Sequence, residues 1–422
     1  VKRLLISALL AAALPAAAQD LLVRDATVHT AGSAGTLRDH DVLVQGGVVR
    51  AIGPDLAAPA GVPVIEAKGR PLTPGLFGGL TGLGIEEVSG ERATVDSGLA
   101  LGAMTPAHEG SSWRPEFDVD VAFNPHSAAI GVNRVEGITF TVLSPAALPG
   151  GSFVAGQGSA VLLDGRYDAA IPGTRSLFID LGSDASGLSG GSRAGQWMLL
   201  EQAVAEARGG GGEGLLTRAG RAALARYLAG GRVVFHVDRA ADIRRVLAFA
   251  KQQGMRPVIA GGNEAWRVAD ELKAANAVVL LDSLANLPDN FDSLSSSLEN
   301  AARLHRAGVR VGFTQRGDAT HNARKVRQLA GNAVAHGLPW EAGLAALTSV
   351  PADTFGLGGQ RGRIAVGLAA DLVLWSGDPL EVTTVAEQVW FGGVPASMRS
   401  RQTELRDRYL APKGDLPRAY TR

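Results

Sequence analysis

Between residues 21 and 72, apolar and polar positions alternate in short runs that Gly, Asp or Pro soon interrupt, as in "LLVRDATVHT", "DVLVQGGVVRAIG" and "VPVIEAKGRPLTPG". Alternation with period two, bounded by turn residues, predicts β-strands with one face buried. The middle run predicts a hairpin that reverses at Gly46-Gly47. Near the other end, "GRIAVGLAADLVLWSGDP" and "AEQVWFGGVPA" repeat this style. Two β-rich ends around a long middle predict one small composite β-sandwich domain, built from residues 19–73 and 356–400.

The middle, residues 74–355, has another rhythm. "GITFTVLSP", "SLFIDLG", "GRVVFHVD", "MRPVIAGG", "AVVLLDS" and "VRVGFTQ" are unbroken apolar runs, the pattern of strands covered on both faces. Helical patterns follow several of them. "ADIRRVLAFAKQQG" carries Asp242 near its start and closes on Gly254, and "NEAWRVADELKAAN", "LSSSLENAARLHRAG" and "NARKVRQLAGNAVAHG" behave alike. Strand followed by helix, repeated, implies an α/β fold with parallel strands. This length suits a (β/α)8 TIM-like barrel of about 250 residues. A doubly wound open sheet is the alternative, but no G-x-G-x-x-G follows the first middle strand, so a nucleotide crevice has no support. The Gly-Ser-rich stretches 149–158 and 183–192 read as loops over the barrel mouth, and "GGGGEG" (Gly209 to Gly214) as a flexible loop without the Lys-Ser/Thr of a phosphate cradle.

Composition narrows the setting. Lys plus Arg and Asp plus Glu balance at 41 each, so no long-range field recruits nucleic acid or an anionic membrane. The 55 glycines fall largely at strand ends and turns. Residues 1–18 have a basic start at Lys2 and Arg3, an apolar core and a small-residue end at Ala16-Ala17-Ala18. That is the pattern of a secretory signal, and it predicts a mature protein in the bacterial periplasm. No later segment is long and uncharged enough to span a bilayer. Without cysteine, disulfides are excluded. Residues 401–422 form a C-terminal tail.

The segments "RPLTPGL", "FNPHSAAIGVNRVEGITFTVLSP", "VVFHVDRAADI", "VIAGGNEAWRVADEL", "AVVLLDSLANLPDNFDSL", "NARKVRQLAGNAVAHGLPWEAGLAALTSVPADTFGL" and "GRIAVGLAADLVLWSGDPLE" together resemble the amidohydrolase superfamily, and within it the secreted imidazolonepropionase-like members. The resemblance implies a metal-assisted hydrolase of carbon–nitrogen bonds other than peptide bonds. It implies one or two divalent ions at the C-terminal mouth of the barrel that activate water and polarise the scissile bond. It implies ligands in a His-x-His after the first strand, histidines after strands five and six, and an aspartate after strand eight, with a lysine or glutamate on strand four in some members.

Here "PGLFGGLTG" places Leu80 and Gly82 on the His-x-His positions, "VIAGGNEAW" places Gly261 on the strand-six histidine, and "GVRVGFTQRGD" places Arg316 on the aspartate. Leucine and glycine side chains offer no lone pair, and arginine stays protonated. His236, in "VVFHVD", is the one ligand-type position that survives, and no strand-four ligand is assigned. A catalytic mononuclear site needs about three protein ligands. The expectation is therefore no bound cofactor, with a divalent metal such as zinc present only where other residues supply ligands.

Among the remaining candidates, His236 reads either as a remnant ligand or general base, or as a hydrogen-bonded histidine packed under a loop. Asp318, with His321 and Asn322 in "DATHN", reads either as a shifted acid or as part of a helix cap in which Thr320 or Asn322 serves. A metal-free acid–base pair would be His236 with Asp318. Of Glu86 and Glu87, one is expected to face the mouth and the other solvent. His126 and Trp113 are candidate pocket residues, with a loop histidine and a packed tryptophan as the plainer readings. Two functions compete. One is an amidohydrolase with a degenerate metal site and weak or lost catalysis. The other is a non-catalytic small-molecule-binding protein, or a partner subunit of a complete homologue, with homo-oligomerisation open in either case.

Overall fold

The computed structural model describes residues 19–101, 113–210, 214–285, 287–317 and 319–410. The leader pattern of residues 1–18 and the candidate Asp318 lie outside these described residues. Five strands come first: β1 (Leu21–His29), β2 (Thr36–Gln45), β3 (Val48–Gly53), β4 (Val64–Glu66) and β5 (Pro71–Pro74). Nine follow in the middle: β6 (Leu76–Thr81), β7 (Ile138–Leu143), β8 (Val154–Gly158), β9 (Ala160–Leu162), β10 (Ser176–Asp180), β11 (Arg232–Val237), β12 (Arg256–Gly261), β13 (Val278–Leu281) and β14 (Arg310–Phe313). The last three are β15 (Leu372–Trp375), β16 (Ala386–Phe391) and β17 (Val394–Pro395).

Strands from both ends join in one eight-stranded sheet, ordered β17-β16-β15-β5-β1-β2-β3 with β4 also on β1. The β2–β3 hairpin turns at Gly46 and Gly47, with φ of 60° and 79°, the left-handed pair that suits the twist of a tight hairpin. Trp375 anchors this sheet to the middle of the chain. It is fully buried, its indole N–H donates to Thr73 Oγ1 at 2.8 Å, and Arg327 lies over its ring.

The middle is a mixed α/β arrangement in which β10 to β14 pair in parallel, each with the next, and β6 pairs in parallel with β7. The link between these two sheets departs from the expected repeat. The stretch 149–158, expected to be loop throughout, contains β8, which runs antiparallel to β10. After Ser159 the same run continues as β9, antiparallel to β7. Its glycines hide the strand from a pattern reading. Gly158 is required by contact, since a Cβ there would meet the Leu143 carbonyl oxygen at 2.0 Å. The other edge is joined by side chain, as the Leu80 N–H donates to Thr314 Oγ1, just beyond β14, at 2.9 Å. Alternate residues of these strands, among them Phe77, Phe140, Phe178, Val234 and Leu280, pack together into one apolar core with Phe355 beneath.

The helix Ala240–Gln253 shows why the local patterns succeed. Ile243, Val246, Leu247 and Ala250 bury one stripe, and Gly254 ends the helix at φ 75° with its N–H on the last carbonyls. Its N-terminus has no side-chain cap of its own, and Glu264 from the next connection accepts from the Ala240 N–H at 3.0 Å. Two expected helices are shorter than their patterns. "NEAWRVADELKAAN" divides into a 3-10 turn, Ala265–Val268, and the helix Ala269–Ala274, while "LSSSLENAARLHRAG" is helical only over Asn300–Ala307. The serines ahead of Asn300 hydrogen-bond locally in turns, which competes with helix formation.

Candidate functional site

The strand tips of the middle region surround a cavity of about 630 Å³. Register decides what meets there. In the parallel β10–β11 pair, Asp180 lies opposite His236. An Asp180 carboxylate oxygen is hydrogen-bonded to His236 Nδ1. An ionised carboxylate has only lone pairs to offer, so the shared proton belongs to Nδ1. The other Asp180 oxygen accepts from the Ala147 N–H at 3.3 Å, and the imidazole stacks on Phe178. Both residues line the cavity, and 35% of the His236 side chain remains accessible. Burial favours neutral imidazole, but the charge of Asp180, its hydrogen bond and the charge of Asp238 together outweigh it. The His236 pKa is held above its usual 6.5.

Asp238 follows β11 on the same wall. One oxygen accepts from the Asn263 N–H at 3.2 Å, and the other lies 3.3 Å from Arg316 Nη1. Burial lifts its carboxyl above the ordinary range, against the downward pull of Arg316 and of the Asn263 N–H. Arg316 also reaches Asp184 at 3.4 Å, and its backbone N–H donates to Asp282 at 2.8 Å. Arg316 thus ties its own connection after β14 to those after β10 and β11 through its guanidinium, and to that after β13 through its backbone N–H.

Leu80, Gly82, Glu86, Gly261 and Arg316 all line the cavity. Leu80 is buried in its floor. The Gly82 N–H donates to Thr320 Oγ1 at 2.9 Å, so Thr320 braces β6 and is not the helix cap expected of it. Asn322 precedes a 3-10 turn without making a side-chain cap. His321 is exposed, and neither it nor Asn322 is among the cavity residues, because the short helix Ala319–Asn322 turns only Ala319 and Thr320 inward. Glu86 lines the mouth while Glu87 is exposed. Trp113 is a core residue against Phe153, and His126 sits on the surface over Tyr167. The 183–192 stretch is irregular apart from one 3-10 turn, and contributes Asp184, Ala185 and Leu188 to the wall.

Asp180 was not singled out in the sequence. Its signal was an acid at the end of the apolar run "SLFID", one strand before the histidine. Among the described residues, no group of three or more His, Cys, Asp or Glu is placed to hold a metal ion.

Residues 218–398 match the model of the Amidohydrolase family. A solved amidohydrolase from Thermotoga maritima superposes with a TM-score of 0.77 at 23% identity, over 90% of this chain and all of that one. The fold is an amidohydrolase fold. Molinate hydrolase shares it more distantly, with a TM-score of 0.53 at 14% identity over 96% of this chain and 99% of that one. In sequence, 72 residues are 44% identical to amidohydrolase tasK of Hapsidospora irregularis, 17% of this chain and 7% of that protein's length. Among the described residues, no helix is long and apolar enough to cross a membrane.

Proposed function

We propose that this chain is an amidohydrolase-superfamily protein, of the secreted imidazolonepropionase-like kind, whose cavity binds a small molecule without a resident divalent metal. Metal-dependent hydrolysis of carbon–nitrogen bonds is then weak or lost. The observation that carries this reading is the cavity wall itself. A Cβ on Gly82 would meet Thr320 Oγ1 at 2.8 Å, and one on Gly261, at φ 90°, would meet Asp238 Oδ1 at 2.6 Å. A side chain at either position would have to displace Thr320 or Asp238, and at Gly261 it would also sit at a φ that disfavours it. Where the resemblance puts the anionic ligand, the guanidinium of Arg316 already faces Asp238 and Asp184. The donor set does not fit a divalent ion.

The same reading takes the middle strands as a (β/α)8-type barrel with one reversed position, supported by the strand order and by the Leu80–Thr314 bond between its edges. It takes residues 19–73 and 356–400 as a companion domain and residues 1–18 as a periplasmic export signal. Elemental analysis of untagged protein, incubated with zinc and desalted, tests the central claim. The expected outcome is far less than one zinc per chain. One equivalent retained would overturn it.

A further inference from the structure

We infer that Asp180 and His236 form a proton-transfer dyad that operates without metal, with His236 Nε2 exchanging a proton inside the cavity and Asp180 positioning the ring. This rests on the metal-free reading above. Three observations converge on it. Strand register places the carboxylate beside Nδ1, so that nitrogen is committed and Nε2 is the one left for a ligand. The Ala147 N–H holds the second carboxylate oxygen and Phe178 supports the ring face, so the imidazole is oriented on two sides. The pair lines a cavity large enough for a small organic molecule.

The chemistry that suits such a pair is addition of water to the carbonyl carbon of a small ester or amide. Nε2 takes a proton from water as the water oxygen bonds to carbon, and the carbonyl π pair moves onto its oxygen. When the carbonyl re-forms, the bond to the leaving nitrogen or oxygen breaks, and Nε2 returns the proton to that atom. One water is consumed, an acid and an amine or alcohol are released, and the dyad is restored. His236 accepts a proton only when neutral. The groups that bear on it are Asp180 from β10 and Asp238 beyond β11, with Arg316, Asp184, Asp282 and Glu86 elsewhere on the cavity wall.

Para-nitrophenyl acetate and chelator-dialysed protein provide the test. The native protein is expected to hydrolyse it on the order of 10²-fold faster than His236→Gln, with a rate that rises through one ionisation above pH 6.5. Asp180→Asn is expected to shift that ionisation downward and to lower the plateau. A merely structural Asp180 would leave the midpoint where it was. Profiles of either variant that superimpose on the native one overturn the dyad. Nitrogen NMR of the native protein requires no variant. Neutral His236 should carry its proton on Nδ1, and a proton on Nε2 instead would overturn the assignment. Retained zinc sinks the metal-free reading whatever these profiles show, while an unaltered His236→Gln rate sinks the dyad alone.

Discussion

At the scale of single residues, the cavity is organised by two ion pairs of different consequence. Because His236 titrates above its usual value in the folded chain, its contribution to stability is complete below pH 6.5 and disappears as pH rises through the folded value. Denaturant melts of native protein and His236→Gln should therefore differ most in mild acid and converge in mild base. A gap independent of pH would contradict the linkage. Arg316 works differently. Removing its guanidinium leaves Asp238 half enclosed without its counter-ion, and Arg316→Ala should cost about 2 kcal/mol in a denaturant titration. Asp238→Asn in that background should recover part of the loss, because the uncompensated charge is then gone. His236 and Arg316 were legible as candidates because their residue types stand out against apolar runs. Asp180 was not, since only the pairing of β10 with β11 reveals its partner, and pairing is a property of chain segments 56 residues apart. His321 misled for the converse reason. Proximity in sequence to a strand end does not say which way a one-turn helix points its side chains.

At the scale of elements, the helices that ended on glycine and the apolar strands were readable because their determinants are local: a buried stripe, a left-handed terminus, a run of branched residues. Gly254 and Gly308 both close their helices at positive φ. The reversed run β8–β9 was unreadable for the opposite reason. Gly156 and Gly158 look like loop composition, yet Gly158 is there because a neighbouring backbone comes too close for any side chain. Gly158→Ala is expected to cost about 1–3 kcal/mol in thermal or chemical melts, as overpacking of a close-set interior does. A variant as stable as the parent would mean that β7 and β8 are not so tightly apposed. The serines before Asn300 show the remaining kind of error. An apolar rhythm suggested helix, and side chains that bond their own turns prevailed.

At the scale of the whole molecule, the terminal sheet is coupled to the middle region through Trp375, which is bonded to Thr73 within its own sheet and packs under Arg327 in the middle region's apolar core. Trp375→Ala should cost about 3–5 kcal/mol, and calorimetry should show both regions losing stability. Separate transitions, with only one displaced, would show that the two regions melt independently. The reversed run has a consequence at this scale too. Elsewhere, neighbouring parallel strands send the chain outward through the mouth and bring it back over a long crossover. Between β7 and β8 it returns at once, through the short segment 144–153, and Ser144, Pro145, Ala146 and Ala147 of that return form part of the cavity wall. Insertions or deletions there need displace no packed crossover helix. A new ligand shape could therefore arise there by a change of loop length alone, so long as the Ala147 N–H keeps its hold on Asp180.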